Sequence, residues 1–520
     1  MTKKAIFFLI VIVLLASFLR LWQIDTIPPG IYPDEALNAN EAITNPGQVF
    51  YSDNNGREGL FFNLIWLSFS VFGISIWSFK LVSVLVGVLT VFGLFLLIRE
   101  LFRFVLKDEN KVVLISLLSS FFMAVSFWHI NFSRISFRAI MLPLILVFSF
   151  YFLFRAFRTQ KIKHFILAGI IFGLGFYTYI SFRLAIFLLA TVIFLWLVAF
   201  LKKKEFKKTL LSVFLFFAVV FATALPIGLY FLKNPQYFSS RTDSVLIFSQ
   251  PNPPKEFAIS LIAHLGMFNV YGDPNWRHNV AGHPMLIFPV GLLFLIGLAF
   301  CFKKLLLSIK EKDLISFNVF SFPFFWFFIM LLPGILTFEG IPHALRVIGV
   351  IPVIYIFVGV GAWRAFEFLN RFIKNKKLLF LISFVFLAGV AGLEFEKYFI
   401  EWAKNSEVKS AFTDKYNNIG WFMNSLPEDT LKYVVVNRAE EPLYGISIPG
   451  QVPMFVERIG FGHLRSDYIR AEELDKVQII SGRQTIIAPL YDGKIMDDLK
   501  QKFPQGEIEQ KHGFWIYKIN

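Results

Sequence analysis

A single cysteine, Cys301, stands among 520 residues, so the chain closes no disulfide on itself, and any part outside a membrane must hold together through its own core. Charge is scarce too: 17% of residues are Asp, Glu, Lys or Arg, against 56% hydrophobic ones. That balance excludes a soluble domain of this length. Acids are the rarer sign, 36 against 51 Lys and Arg. A small-x-small cleavage pattern is missing behind the first apolar run, which continues to Trp22, so this run is expected to stay as a first span and not to leave as a signal peptide. No glycine-rich nucleotide loop is found near the C-terminus, where Gly445, Gly450, Gly460 and Gly462 are irregularly placed.

What is present is apolar sequence, with 67 Phe and a mean hydropathy of +0.62. A helix of roughly 20 apolar residues crosses a bilayer core. By that measure eleven spans are predicted, near 5–24, 79–102, 113–130, 139–157, 165–180, 184–201, 209–232, 285–302, 314–338, 347–363 and 378–394. Every second connection is basic: 99–111, 155–163, 202–208, 303–312 and 364–377, joined by Lys3 and Lys4. Together these segments hold 24 Lys and Arg against seven acids, counting flanking Asp313. Short basic loops stay in the cytoplasm, so the N-terminus is expected inside an inner (plasma) membrane and, with an odd span count, the C-terminus outside. The chain's basicity is then a topology signal, with no part for nucleic acid.

The stretch Gly59–Gly73 is apolar but short. If it spanned, every later basic loop would change sides, so it is read as a helix lying in the outer membrane face. One long external loop, 25–78, results. From 395 to 520 the hydropathy falls. Helical spacing is read at Phe395–Trp402 and Phe412–Met423, with strands at 433–436, 478–480, 485–487 and 514–517 and helical patterns at 468–474 and 494–503. The fold expected is a polytopic α-helical membrane module, 1–394, followed by a small extracytoplasmic α/β domain, 395–520, serving as a lid or acceptor-docking module.

The external loop opens with Pro33-Asp34-Glu35 and continues to Glu41, Arg57 and Glu58. Carboxylates beside a span are costly and unneeded for anchoring, so the pair points to proton abstraction or metal binding, with a merely solvated loop as the alternative. Asp34, Glu35 and Glu41 are a candidate divalent-metal set. Other outer loops carry Arg134 and Arg138, Arg183, and His343 with Arg346, against the charge bias of that side. Guanidinium forks that hold phosphate oxygens account for them; snorkelling at the interface is the other account. The loop 233–283 offers Asp273, Trp276, His278 and His283, a mixture suited to stacking on and hydrogen-bonding a sugar, or to an aromatic belt, with the histidines a looser metal alternative.

A first span, an external Pro-Asp-Glu segment, a membrane-lying helix, further spans with basic inner loops and an external soluble domain resemble the GT-C glycosyltransferases. Within these the chain is most similar to the protein O-mannosyltransferase and lipid A aminoarabinose transferase group, over roughly residues 1–395. The resemblance implies an inverting transfer of sugar from a polyprenyl-phosphate donor to a protein, lipid or glycan acceptor outside the membrane. It implies Asp34 as general base and Glu35 as a group positioning the acceptor. Two departures stand out: Asn55-Gly56-Arg57-Glu58-Gly59 replaces the His-Pro-Pro segment of many relatives, and Arg134 and Arg138 lie where aminoarabinose relatives begin a span with an acid.

Inverting transfer needs a base for the acceptor hydroxyl and positive charge for the departing phosphate. On that chemistry Arg134, Arg138, Arg183, His343 and Arg346 are donor-phosphate candidates, while Glu41, Arg57 and Glu58 are acceptor-side or supporting groups. Two other classes compete: a lipid-linked sugar transporter or flippase, and a non-catalytic glycan-assembly scaffold. Transporters place ionisable groups at mid-membrane depth and show internal repeats, and neither is found here.

Overall fold

The computed structural model describes residues 2–238, 245–437, 442–443 and 446–520; Gly445 lies outside the described residues. Nine of its helices are long and apolar enough to cross a membrane: Lys3–Leu21, Ile76–Phe102, Arg138–Thr159, Ile180–Phe200, Phe206–Lys233, Phe288–Lys310, Leu314–Ile335, Ile348–Phe372 and Lys376–Trp402. A bent pair, Glu109–Val125 and Phe127–Arg134 meeting at 58°, makes a tenth candidate when counted as one span. Ser126 makes the break: its side chain caps the second piece at His129, and Tyr355 donates to its hydroxyl. The expected eleventh span, near 165–180, is the shorter helix Ile162–Leu174 with a 3₁₀ turn to Tyr177. It is shorter than the rest and falls outside the helices long enough to cross. The Leu60–Phe72 helix has 13 residues, roughly 20 Å at 1.5 Å per residue, too short to span. It buries Phe61, Phe62, Ile65 and Phe69 and leaves Trp66, Leu67, Val71 and Phe72 exposed.

Ion pairs join three of the basic connections, 99–111, 155–163 and 364–377, at one end. Glu109 binds Arg99 and Arg103 at 2.7 and 2.5 Å, Lys111 meets Glu367 at 3.0 Å, and Arg158 pairs with Glu100. At the opposite end the loops after the first and fifth long helices meet the C-terminal region, through Ile31 and Asn417 and through Trp276 and Trp402. There a five-stranded sheet orders Asp467–Arg470, Leu431–Val436, Thr485–Pro489, Phe514–Ile519 and Glu507–Lys511. The first three strands run parallel and the last two antiparallel to their neighbours. Three expectations are corrected here. Gln478–Ile480 is an irregular run and not a strand. Tyr468, read as helical, lies in the edge strand, and Glu507–Lys511 adds an unforeseen strand. Neither strand alternates apolar with polar residues: Tyr468 and Ile469 adjoin in one, and the other has a lone apolar residue, Ile508, which is exposed.

The sheet region is fastened to the first long loop. Asn40 donates to the Gln451 carbonyl and Oε1 at 2.9 and 3.0 Å and accepts from Arg458 at 2.6 Å, and Ile31 N–H reaches Asn417 Oδ1 at 3.1 Å.

Candidate active site

Pro33 fixes the backbone at the first turn of a helix, Pro33–Thr44, that presents the acids. Glu35 closes a capping box, its Oε2 accepting from Tyr32 N–H at 3.1 Å. Its other oxygen accepts from Ser136 N–H at 2.7 Å. The side chain is fully buried. Burial pushes its carboxyl up, while buried Lys80 opposes the shift. Glu35 therefore turns inward and ties the helix to the segment that leads into Arg138. The expected contact with an acceptor is not where the structure puts it.

Asp34, one residue earlier, turns the other way. It is half-buried, and Asn54 Nδ2 donates to its Oδ1 at 2.5 Å. Around it lies a ladder of opposite charges. Arg57 reaches Glu41 at 2.6 Å and Asn38 Oδ1 at 2.9 Å, and Arg138 reaches Glu58 at 2.9 Å. Burial pushes the Glu41 carboxyl up to about 7 against the pull of Arg57. Burial likewise lowers Arg57, with Glu41 and Asp34 working to keep its charge. Arg138 Nη2 is buried with no hydrogen-bond partner among the described residues. Its guanidinium lies 5.5 Å from the Tyr179 ring centre, and Arg183, between Phe231 and Phe238, is within electrostatic reach of Glu58.

Other predicted groups are spent on structure. Arg134 is fully buried and donates to the carbonyls of Leu19, Arg20, Gln23 and Ile27 at 2.8–3.1 Å, so it caps the end of the first span instead of facing a phosphate. Arg346 is held by Thr337 Oγ1 and the Glu339 carbonyl at 2.8 and 2.7 Å. Trp276 gives its carbonyl to Trp402 Nε1 at 2.7 Å, and His283 sits 3.8 Å from Glu401 in the open.

A second cluster joins Asp273, His278 and His343, whose ligand atoms lie within 4.8 Å of one another. Asp273 Oδ1 accepts from Asn275 N–H at 2.7 Å; its Oδ2 takes His278 Nδ1 at 2.9 Å and Ala344 N–H at 2.7 Å. Burial works against the Asp273 charge, but His278, His343 and the Ala344 N–H outweigh it and hold the carboxyl low. Burial and His278 push His343 well below the usual imidazole range, and Arg346 and Arg277 act in the same direction. A divalent cation here would meet two guanidinium charges and a carboxylate already filled by three donors, so these residues do not fit one. Asp34, Glu35 and Glu41 do not form a metal-ligand group among the described residues.

Asp34 also borders a cavity of about 660 Å³ between the acidic helix and the C-terminal region. Tyr32 and Arg277 form one wall, the guanidinium 4.1 Å from the ring centre. Lys409, Lys415, Tyr416 and Tyr491 form the other. Sequence reasoning missed Asn54 and this far wall; Arg277 was visible in it as part of the polar mixture at 273–278.

Comparison with known proteins adds to this geometry. A family profile described as dolichyl-phosphate-mannose-protein mannosyltransferase matches residues 60–227. The fold is similar to that of ArnT from Cupriavidus metallidurans bound to undecaprenyl phosphate, at TM-score 0.55 and 11% identity, over 100% of this chain and 98% of that one. Apo ArnT gives TM-score 0.56 and 10% identity over 99% and 98%. No curated protein sequence matches the chain.

Proposed function

We propose that this chain, an integral membrane protein of the GT-C fold similar to protein mannosyltransferases and ArnT, moves a sugar from a polyprenyl-phosphate carrier to an acceptor hydroxyl. The observation that carries the reading is Asp34. Its carboxylate is oriented by Asn54, lies beside the Glu41–Arg57 and Glu58–Arg138 pairs on one side, and borders the cavity on the other. A base that links a charge-compensated pocket to a roomy cleft is what a displacement at a sugar's anomeric carbon requires.

Asp34 takes the proton of the acceptor hydroxyl as its oxygen bonds to the anomeric carbon. The bond from that carbon to the phosphate oxygen breaks, its electron pair leaves with polyprenyl phosphate, and the configuration inverts. Arg138 meets the growing phosphate charge through its unpartnered Nη2, with Glu58 holding the guanidinium in place. Arg183 adds charge at the aromatic rim formed by Phe231 and Phe238. Undecaprenyl phosphate bound to ArnT supports a lipid carrier of this type. Three basic connections joined at one end support placing the reaction on the outer face, with the N-terminus cytoplasmic.

The test is transfer of labelled sugar from a panel of polyprenyl-phosphate sugars by wild type and Asp34→Asn. The account expects loss of at least about 10²-fold, the lower end of what a positioned base contributes. Turnover at the wild-type rate in a folded Asp34→Asn protein would remove Asp34 from the mechanism.

A further inference from the structure

The cavity beside Asp34 has two walls of different origin, and the C-terminal wall has no part in the mechanism just given. Building on that transfer reading, we infer that this cavity is the acceptor subsite and that it takes an uncharged, hydroxyl-rich carbohydrate, not a polypeptide.

Charge is the first argument. Asp34 and Asp414 bring two carboxylates to the lining, Arg277 and Lys409 bring two cations, and Lys415 is already paired with Asp492 at 2.5 Å. The lining is thus balanced. It offers hydroxyl groups acceptors and donors in similar number and gives a charged acceptor no net attraction.

Aromatic surface is the second. The Tyr32 ring, under Arg277, stands in one wall, and Tyr491 in the other is 60% exposed although its backbone is fixed by Asn437 at 2.9 and 2.5 Å. A ring held out to solvent on a fixed backbone suits the C–H face of a sugar. Few convergent polar groups around apolar faces are the usual make-up of a small-molecule pocket.

Third, one mode of peptide docking, addition of an extended strand to a sheet edge, is closed to this cavity: the edges of the sheet are Asp467–Arg470 and Glu507–Lys511. Neither lines the cavity, whose C-terminal wall is made of the facing ends of the Ser406–Ala411 and Asp414–Ser425 helices, the Ile448–Gly450 3₁₀ turn and the 490–491 loop.

The experiment is saturation-transfer NMR on the full-length protein in nanodiscs, without donor. The probes are methyl glycosides and neutral disaccharides, glucose 6-phosphate, and a Ser/Thr-containing octapeptide. The inference expects saturation of the neutral sugars, several-fold weaker in Tyr491→Ala and retained in Tyr491→Phe. Saturation of the peptide or of glucose 6-phosphate in preference to neutral sugars overturns it, as does sugar binding that ignores Tyr491→Ala. Parallel measurement of polyprenyl-phosphate release separates the two readings. Sugar binding that depends on Tyr491, without donor cleavage, upholds a neutral-carbohydrate site here but overturns its acceptor role together with the transfer reading. Donor cleavage with Tyr491-independent sugar binding upholds the transfer reading and overturns the site.

Discussion

Asp34 and Glu35 adjoin in sequence yet face opposite ways, because a helix turns about 100° per residue and only one of two neighbours can look into a cleft. Glu35 is spent on Tyr32 and Ser136 N–H groups. Glu35→Ala should therefore cost about 1 kcal/mol for the lost cap, with more for the orphaned Ser136 N–H, and lower the melting temperature. Glu41 gives a pH test. Its folded-state carboxyl titrates near 7 and an ordinary one near 4.5, so the folded protein keeps a proton that the unfolded chain gives up between those values. Its contribution to stability falls as pH rises through that window. Melting temperatures measured from about pH 5 to pH 8 should fall less steeply in Glu41→Gln than in wild type; an unchanged slope would place the titration elsewhere. The acidic loop was legible because carboxylates beside a span are conspicuous. Which acid faces the cleft was not, since that depends on Ser136, some hundred residues away.

Elements show the same division. Eleven apolar runs were visible because hydropathy and loop charge are local properties, and helices form over all of them, the shortest at Ile162–Leu174. The break at Ser126 was hidden, as it rests on a cap and on Tyr355 from a distant helix. Arg134 illustrates the hidden part most fully. Sequence shows an arginine at an outer loop, whereas the fold spends it on four carbonyls that close the first span. Each such charge-assisted bond is worth about 1.5–3 kcal/mol. Arg134→Ala should accordingly reduce the yield of folded protein in detergent, seen as aggregation on size exclusion, whereas Arg138→Lys, which keeps a cation against Glu58 but loses the fork, should leave folding intact and reduce transfer. A well-folded Arg134→Ala protein with normal transfer would contradict the capping role. Polar edge strands such as Asp467–Arg470 escape the sequence for a related reason: their partners, and not their own alternation, make them strands.

At the scale of the molecule, a bundle with three of its basic connections joined at one end carries a sheet at the other, clamped by Asn40, Arg458 and Asn417 over the acidic helix. On the proposed topology the C-terminal sheet lies outside. Cys301 is buried, so an added cysteine reports alone. Exposed Ser425→Cys should react with an impermeant maleimide on intact cells, and Lys374→Cys only after permeabilisation; the opposite pattern would invert the topology. The central claim is that Asp34 activates an acceptor for sugar transfer from a lipid carrier. Its most direct test is release of polyprenyl phosphate coupled to labelled product, by purified wild type and Asp34→Asn in nanodiscs. The account predicts coupled release and transfer in wild type and neither in Asp34→Asn. Equal transfer by both proteins, or carrier moved across the bilayer without cleavage, would contradict it.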